Sequence, residues 1–300
     1  MPVQAILKAV IPVAGMGTRL LPATKSQPKE MLPVGRRPVV QYVVEEMEQA
    51  GLNQILFVTG RKKSAIEDHF DADPELVRLL SAADSYTLLE ELDYTETDAT
   101  FFYTRQSTPL GLADAVRHAK RFVGDEPFVV ALGDSIIRNG REGSLCRSLM
   151  EAHIASGAAC TVALEQVAPE DTYRYGIVAP QSGADLAGAF EIDDLVEKPA
   201  PGSAPSNLAI AARYVFGPAI FDAIDRTVPD RKGEMQLTDS IRLLKQMGEK
   251  VCGLCLSEGE RRYDIGNFES YFTAFMDFAL ADEKYGYMVR QYLKRKAREL

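Results

Sequence analysis

The chain contains 300 residues, of which 46% are hydrophobic and 26% are charged, which is the composition of an ordinary globular protein. Its formal net charge of −9 argues against nucleic acid or an anionic membrane surface as a partner. No apolar run approaches the ~18 residues that a membrane-spanning helix requires.

The N-terminal segment 1–14 is apolar, but it has no basic leader and Lys8 interrupts it. These features do not fit a secretory signal peptide, so we expect a buried strand instead. With no export signal, the expected location is the cytoplasm.

Strands and helices alternate over the first half of the chain. Pro38 suits the first turn of the first predicted helix, and Gly51 suits its end. This alternation predicts a parallel sheet covered by helices on both faces. The predicted strands are 6–14, 54–60, 100–105 and 128–132, and the predicted helices are 38–49, 61–70 and 113–122, with an acidic helical insertion at 74–95.

The second half is richer in strands. Thr238 is the predicted N-cap of a helix, and the Pro-, Ser- and Gly-rich segment 200–207 is short enough to be a loop. We therefore expect one α/β domain with a helical C-terminal extension. The predicted strands are 160–167, 175–179, 190–196 and 208–216, and the predicted helices are 238–247 and two within 267–300.

Cys252 and Cys255 have the C-x-x-C spacing of redox and zinc sites, but no second pair or paired histidine completes a zinc site. Both lie in segment 250–256, which alternates like a strand. We expect these two, together with Cys146 and Cys160, to be small buried side chains in a reducing compartment.

A glycine-rich segment, 15–20, follows the first predicted strand directly. Glycines allow backbone N–H groups to approach phosphate oxygens and form an anion-binding nest. The dinucleotide fingerprint fails because Leu20 occupies its third glycine position, and Walker A fails because Thr24 precedes Lys25. A plain strand-to-loop turn is the alternative, but Arg19 favours a phosphate clamp.

Segment 22–33 continues this loop and carries Lys25 and Lys29. Taken alone, it reads as a solvated loop. It lies at the carboxyl end of the first strand, however, where ligands bind in open α/β sheets.

Short motifs follow one another in a fixed order along nearly the whole chain. The sequences G-x-G-T-R at 15–19, L-P-A-T-K at 21–25 and P-K-E-M-L-P at 28–33 together resemble sugar-1-phosphate nucleotidyltransferases, in particular their uridylyltransferase branch. Further matching segments are 58–60, 65–70, 124–128, 174–177, 196–199, 204–210, 213–216, 233–239 and 262–266.

The resemblance implies a fold and a reaction. The fold is a Rossmann-like, GT-A-like, mixed and largely parallel sheet flanked by helices. Residues 1–266 form the α/β domain, with a nucleotide-binding half at 1–135 and a sugar-binding half at 136–266. Residues 267–300 form an oligomerisation element of a homodimer or homotetramer. The reaction is Mg²⁺-dependent, in-line attack of glucose 1-phosphate on the α-phosphate of UTP, which yields UDP-glucose and pyrophosphate.

The resemblance also implies residue roles. Arg19 and Lys29 correspond to positions that contact the nucleotide phosphates, and Lys198 to the position that holds the sugar phosphate. Asp134 and Asp264 correspond to the two carboxylates that hold Mg²⁺, a cation that usually takes one or two carboxylates plus substrate phosphates. Without the resemblance, a helix or turn cap is an equally good interpretation of Asp134.

Recognition of the base and the sugar is implied in the same way. Glu197 corresponds to a sugar-hydroxyl position, although a surface ion pair between Glu197 and Lys198 is the alternative. The base-reading positions are Gln106 and Gly111, the other nucleotide-binding positions are Ala14, Gly15, Gly17, Thr18 and Glu30, and the sugar-binding positions are Gly176, Glu197 and Lys198.

The sequence departs from the family at four positions. The usual P-K-G-L-G-H-A-V has Leu110, Ala113 and Asp114 in place of lysine, glycine and histidine, and Ser135 replaces the usual second acid. These changes leave three alternatives open: use of another nucleotide such as dTTP, use of another hexose 1-phosphate, or an inactive regulatory paralogue.

The reaction itself needs no general base. The second pKa of a phosphate monoester is near ~6, so the nucleophile is already largely a dianion at neutral pH. His69, His118 and His153 lie in no recognisable catalytic motif, and His69 is expected on a helix beside the core. We therefore expect positioning and charge neutralisation to dominate catalysis.

Overall fold

The computed structural model describes residues 5–138 and 144–299, so the first residues of the N-terminal apolar segment and the last residue of the tail lie outside the described residues. The strands are β1 (Lys8–Pro12), β2 (Pro33–Val34), β3 (Arg37–Pro38), β4 (Gln54–Thr59), β5 (Thr100–Arg105), β6 (Phe128–Ala131), β7 (Ser135–Arg138), β8 (Cys160–Gln166), β9 (Gly176–Pro180), β10 (Phe190–Glu197), β11 (Leu208–Phe216), β12 (Val251–Cys255) and β13 (Arg261–Asp264).

The helices divide between those that cover the sheet and those that extend from it. They are α1 (Val39–Gln49), α2 (Ser64–Phe70), α3 (Pro74–Ala82), α4 (Tyr86–Glu90), α5 (Leu112–Arg117), α6 (Lys120–Val123), α7 (Ser144–Ser156), α8 (Ile220–Arg226), α9 (Leu237–Gln246), α10 (Phe268–Ala281) and α11 (Gly286–Lys296). Within the described residues, no helix is long and apolar enough to cross a membrane.

A mixed sheet forms the centre of the described residues, in the order β5-β4-β1-β6-β11-β8-β12-β10-β9. Strands β5, β4, β1 and β6 are parallel to one another, as the β–α alternation predicted. Strand β11 is antiparallel to both β6 and β8. The next pair in the sheet, β8 and β12, is parallel. The predicted mixed sheet flanked by helices is therefore confirmed.

Alternating side chains of β1 explain why helices cover both faces of the sheet. Val10 packs into the apolar cluster under α5, α8 and α9. Ala9 and Ile11 point the other way, into the cluster under α1, α2 and α7. Helix α1 supplies that second cluster with Val40 and Val43, which are fully buried.

Two predictions about helices are wrong. The predicted helix 113–122 is broken into α5 and α6, because the chain tightens into bonds from His118 N to Ala115 O and from Ala119 N to Val116 O. Thr238 is not the N-cap of α9, since Gln236 holds that position. The Thr238 hydroxyl instead donates to Glu197 Oε2 at 2.8 Å.

All four cysteines are free thiols. Cys146, Cys160 and Cys252 are buried, as expected, whereas Cys255 is only half-buried. Burial raises the pKa of the Cys160 thiol well above its ordinary value. Within the described residues, no group of three histidine, cysteine or acidic side chains could hold a metal.

A two-stranded pairing outside the main sheet was not predicted. Strand β13 runs antiparallel to β7, which sets Asp264 opposite Ser135. Helix α10 follows β13 directly, with its N-terminus capped by Asn267, whose side chain accepts from Ser270 N at 3.0 Å. It packs on β2 and β13 through a third apolar cluster.

Candidate active site

The carboxyl ends of β1, β5 and β6 open onto a cleft of about 360 Å³, named here the glycine-loop cavity. A second cleft of about 230 Å³ adjoins it and is named the Glu197 cavity. The two cavities share Arg19, Leu112, Leu132 and Asp134 in their walls. Every residue that the sequence predicts for the site lines one of these two cavities.

The glycine-rich loop is held in shape by its own hydrogen bonds. Gly17 adopts the left-handed conformation with φ +66°, and the Thr24 hydroxyl donates to Gly17 O at 2.7 Å. A β carbon at Gly15 would lie only 3.6 Å from Lys29 Nζ. The loop backbone, Arg19 and the Lys29 ammonium therefore line one wall of the glycine-loop cavity.

Lys29 is a permanent cation of this wall. Its ammonium pairs with Asp134. Burial lowers the pKa of Lys29, but attraction to Asp134, Glu30 and Asp264 outweighs burial and raises this pKa to about 12. The side chain therefore stays charged at neutral pH and can neutralise phosphate, although it cannot act there as a general acid or base.

The pairing of β7 with β13 brings two distant acids together. Ile265 N donates to Asp134 O at 2.9 Å, which fixes the residue after Asp264 against the Asp134 backbone. Burial alone would raise the pKa of Asp134, but the neighbouring Lys29 ammonium holds this pKa below its ordinary value. Burial, followed by the negative charge of Asp134, raises the pKa of Asp264.

This pair of carboxylates fits a hard divalent cation. Asp134 and Asp264 offer oxygen ligands side by side, and their mutual repulsion would be relieved by a cation between them. Because no third acidic, histidine or cysteine ligand joins them in the described residues, the remaining ligands would have to come from water or substrate phosphates, as is usual for Mg²⁺.

Glu30 lines the glycine-loop cavity, but its carboxylate is already engaged. Lys63 donates to Glu30 Oε2 at 2.7 Å, and both side chains are buried. Burial is the main reason that the pKa of Glu30 is raised and that of Lys63 is lowered. Since a buried pair broken on one side is costly, the Glu30 side chain is a fixed part of the wall.

Gln106 and Gly111 meet at the far end of this cavity. The Gln106 amide donates to Gly111 O at 3.1 Å and to Asp114 Oδ2 at 2.7 Å. Gly111 has φ +101°, and a β carbon there would lie 2.5 Å from the Met235 backbone. Only glycine fits this position, which links the loop before α5 to the segment before α9.

The Glu197 cavity is built around one carboxylate with two partners. Glu197 Oε2 accepts from the Thr238 hydroxyl, and Lys198 Nζ lies 3.0 Å from Glu197 Oε1. A β carbon at Gly176 would lie 3.1 Å from Glu197 Oε2. Lys198 has φ +45°, a conformation that costs roughly 1–3 kcal/mol and is concentrated at functional sites.

The sequence profile of the nucleotidyl transferase family matches residues 8–280 of the chain. The chain belongs to the nucleotidyl transferase family. It is 42% identical to UTP–glucose-1-phosphate uridylyltransferase of Bacillus subtilis, over 94% of each chain.

Two solved structures match this nucleotidyltransferase over almost its whole length. One is UTP-bound UGPase from Acinetobacter baumannii, at 35% identity, with a TM-score of 0.88 over 96% of this chain and 99% of that one. The other is UDP-glucose pyrophosphorylase complexed with UDP-glucose, at 33% identity, with a TM-score of 0.82 over 93% of this chain and 100% of that one.

Several residues of the nucleotidyltransferase site were not predicted from the sequence. Lys63 is the N-cap residue of α2, in the short loop after β4, and the position of a lysine in that loop was a usable signal. Thr238 was assigned to a helix cap. Arg262 pairs with Glu165 and its positive charge lies close enough to Asp264 to stabilise that carboxylate. The contacts of Thr238 and Arg262 are tertiary, so no local pattern indicated them.

Ser135 stands where the family has its second acid. Its hydroxyl is buried and is the one side-chain polar atom of the described residues that has neither solvent nor a hydrogen-bond partner. Its carbonyl accepts from Arg213 Nη2 at 2.8 Å. Arg213 is fully buried and pairs with Glu46 at 2.7 Å, so an internal ion pair supports the loop that carries Asp134.

A larger cleft, of about 560 Å³, shares Arg262 with the Glu197 cavity. It is lined by Arg262 and by residues of β8 and β12, but by none of the residues predicted for the site. Cavity size therefore does not single out the two clefts that the predicted site residues line.

Proposed function

We propose that this chain transfers the uridylyl group of UTP to α-D-glucose 1-phosphate, forming UDP-glucose and pyrophosphate. One observation carries the proposal: the glycine-loop cavity and the Glu197 cavity meet at Arg19 and Asp134. A nucleotide in the first cavity and a sugar phosphate in the second would bring their phosphates together there. Relatives named for this reaction are 42% and 44% identical to the chain.

The reaction replaces one phosphorus–oxygen bond with another. An oxygen of the sugar phosphate forms a bond to the α-phosphorus of UTP, while the bond from that phosphorus to the bridging oxygen breaks and pyrophosphate leaves. The main barrier is repulsion between two polyanions, so preorganised positive charge contributes most. His69 and His153 are engaged with Tyr94 and Thr161, away from both cavities, which supports a mechanism without a histidine base.

In this proposal, three cationic side chains each bind a different part of the substrate phosphates. Arg19, with the backbone N–H groups of the glycine-rich loop, holds the nucleotide phosphates. Lys29 stays charged beside the point where the α-phosphate would lie. Lys198 projects from the Glu197 cavity wall with a side chain that is 59% exposed, and its ammonium can exchange Glu197 for the sugar phosphate.

Asp134 and Asp264 would hold Mg²⁺ in the same scheme. When bound, the ion neutralises charge on the phosphates during transfer. Lys29 already neutralises Asp134 in the described structure, and it can turn to a phosphate when a cation takes its place beside the carboxylate.

The sugar would be read by the Glu197 carboxylate. This group already accepts from Thr238 and is placed against the Gly176 backbone, so it can accept hydroxyl donors in a fixed direction. A sugar that lacks the matching hydroxyl leaves this half-buried carboxylate without one of its hydrogen bonds, which is a source of discrimination.

The test is pyrophosphate release with Mg²⁺, a panel of five nucleotides and a panel of hexose 1-phosphates. We expect UTP with glucose 1-phosphate to give the highest kcat/KM, and dTTP to be weaker by ~10–200-fold because it differs from UTP by a base methyl and a ribose hydroxyl. Release with another pair would replace the substrate assignment. No release with any pair would favour a regulatory paralogue, which retention of Arg19, Asp134, Lys198 and Asp264 in the cavities argues against.

We further propose that α10 and α11 form a subunit contact of a homo-oligomer. Phe272 on α10 and Tyr287, Met288 and Tyr292 on α11 are large apolar side chains that are 48–69% exposed. Exposed apolar side chains concentrated on two adjacent helices are typical of an interface. Light scattering of the wild type and of Phe272→Glu/Met288→Glu tests this, with a monomeric wild type as the contrary result.

A further inference from the structure

The side-chain amide of Gln106 has both of its hydrogens committed. Gln106 is 5% exposed, and its Nε2 donates to Gly111 O at 3.1 Å and to Asp114 Oδ2 at 2.7 Å. Its Oε1 atom accepts no hydrogen bond from the described residues, and the side chain lines the glycine-loop cavity. Gln106 therefore presents a carbonyl oxygen, and no N–H group, to whatever binds there.

Asp114 is the residue that enforces this orientation. It is 2% exposed, and its second oxygen, Oδ1, pairs with Arg117. A carboxylate only accepts hydrogen bonds, and so does the Gly111 carbonyl. If the Gln106 amide turned over, its oxygen would face two acceptors with no donor between them. The histidine usual in the family can donate or accept at either ring nitrogen, so it would not require the Gln106 amide to adopt a single orientation.

We propose that Asp114 is a specificity-determining residue that fixes Gln106 as a hydrogen-bond acceptor and so selects pyrimidine nucleotides carrying an N3–H group. Uracil and thymine offer that donor. Cytosine has an unprotonated N3, which would meet Gln106 Oε1 acceptor to acceptor. The inference rests on the proposed function for the identity of the ligand as a nucleoside triphosphate.

The neighbouring loop supplies a matching donor on a rigid frame. Gly111 N makes no hydrogen bond within the described residues and lies in the same cavity wall. Bonds from Met235 N to Leu110 O at 2.7 Å and from Ala113 N to Met235 O at 3.0 Å hold this loop on both sides of Gly111. An acceptor from Gln106 beside a donor from Gly111 complements an N3–H group beside a base carbonyl.

The experiment measures UTP and CTP in two ways, by calorimetric Kd without sugar and by kcat/KM with glucose 1-phosphate. The wild type should prefer UTP by about 10⁴-fold, the scale expected when a mispaired polar group is buried. Asp114→Ala should reduce this preference by about 10- to 100-fold, because the amide loses its charged partner. The KM for glucose 1-phosphate should not change.

Matched variants separate orientation from general damage. Asp114→Asn should keep most of the preference, since its remaining oxygen can still face Gln106 while the half-exposed Arg117 turns away. Arg117→Ala should leave the preference unchanged, because it removes only the partner of the other carboxylate oxygen. In a Gln106→Ala background, Asp114→Ala should change the UTP-to-CTP ratio no further.

Failure of the proposed function and failure of the proposed role of Asp114 give different results. If the wild type binds UTP over CTP but releases no pyrophosphate, the proposed function fails and the role of Asp114 stands. The role of Asp114 is overturned if a folded Asp114→Ala keeps the wild-type ratio of UTP to CTP affinities. If Asp114→Ala unfolds, the role is overturned when a folded Asp114→Asn loses the preference as fully as Gln106→Ala does.

Discussion

The buried ion pair between Glu46 and Arg213 gives the most direct quantitative test of the structure. Arg213 is fully buried, and its guanidinium donates to the Glu46 carboxylate at 3.0, 3.2 and 2.7 Å. Glu46→Ala removes the counter-charge and leaves a buried cation. The expected loss is about 3–5 kcal/mol of unfolding free energy, which for a chain of 300 residues corresponds to a Tm lower by about 5–8 °C.

A matched control exists on the surface. Arg242 donates to Asp194 at 2.7 and 2.8 Å, the same chemistry as the buried pair, but the two side chains are 46% and 41% exposed. Asp194→Ala should therefore cost at most about 1 kcal/mol. Both variants are compared by calorimetry and urea unfolding. Equal losses at the two sites would refute the argument that burial, and not contact distance, sets the magnitude.

The double replacement Glu46→Met/Arg213→Met separates stability from activity. Apolar side chains of similar volume should restore most of the unfolding free energy, because no buried charge remains. The carbonyl of Ser135 nevertheless loses the donor that holds it beside Asp134. We expect kcat to stay low in this variant, and a fully active, stable double variant would show that Arg213 does not support the site.

Three further predictions concern charge. Asp134→Asn and Asp264→Asn should each lower kcat by at least ~10²-fold, whereas near-normal turnover in either would contradict the metal assignment. Lys198→Ala should raise the KM for glucose 1-phosphate while UTP affinity, measured by calorimetry, is kept; Arg19→Ala should show the reverse, and exchanged phenotypes would mean exchanged roles. Burial lowers the pKa of His153 from 6.5 to about 4. Between these two pH values the folded state therefore binds fewer protons than the unfolded state. The contribution of His153 to stability is full above pH 6.5 and is lost as the pH falls from 6.5 to 4. His153→Gln should flatten that fall by up to about 3 kcal/mol, and parallel pH curves for the two proteins would show that His153 is not responsible.

The parts of the fold that were predicted correctly carry strong local signals. Strand β5 has the predicted bounds, and the apolar runs of β6 and β11 were placed to within a residue. Strands β7 and β13 were missed, because four-residue strands paired across more than a hundred residues leave no local pattern. Thr238 shows the opposite error. It was predicted to cap a helix, because threonine is a good capping residue, but its hydroxyl donates to the Glu197 carboxylate.

For the site, the order of motifs located the residues that line the two cavities. The partners of those residues were not accessible in the same way. That Lys63 neutralises Glu30, or that Asp114 holds Gln106, depends on how separate segments meet in three dimensions. Sequence patterns therefore named the groups that line the two cavities, and the structure was needed to show what fixes the direction of each group.

The pairing of β13 with β7 has a consequence for how this chain can be divided. Asp264 is the last residue of β13, and three residues later Asn267 caps α10, which packs back on β13. The second acid of the site is thus delivered by the same segment that begins the C-terminal helices. A fragment that stops after the nine-stranded sheet would keep the nucleotide loop yet lack Asp264, and one that stops at residue 266 would keep Asp264 but lose the helix that packs on β13. We therefore expect the smallest active fragment to extend through α10. Fusions and truncations designed around a boundary near residue 266 should be moved beyond this helix.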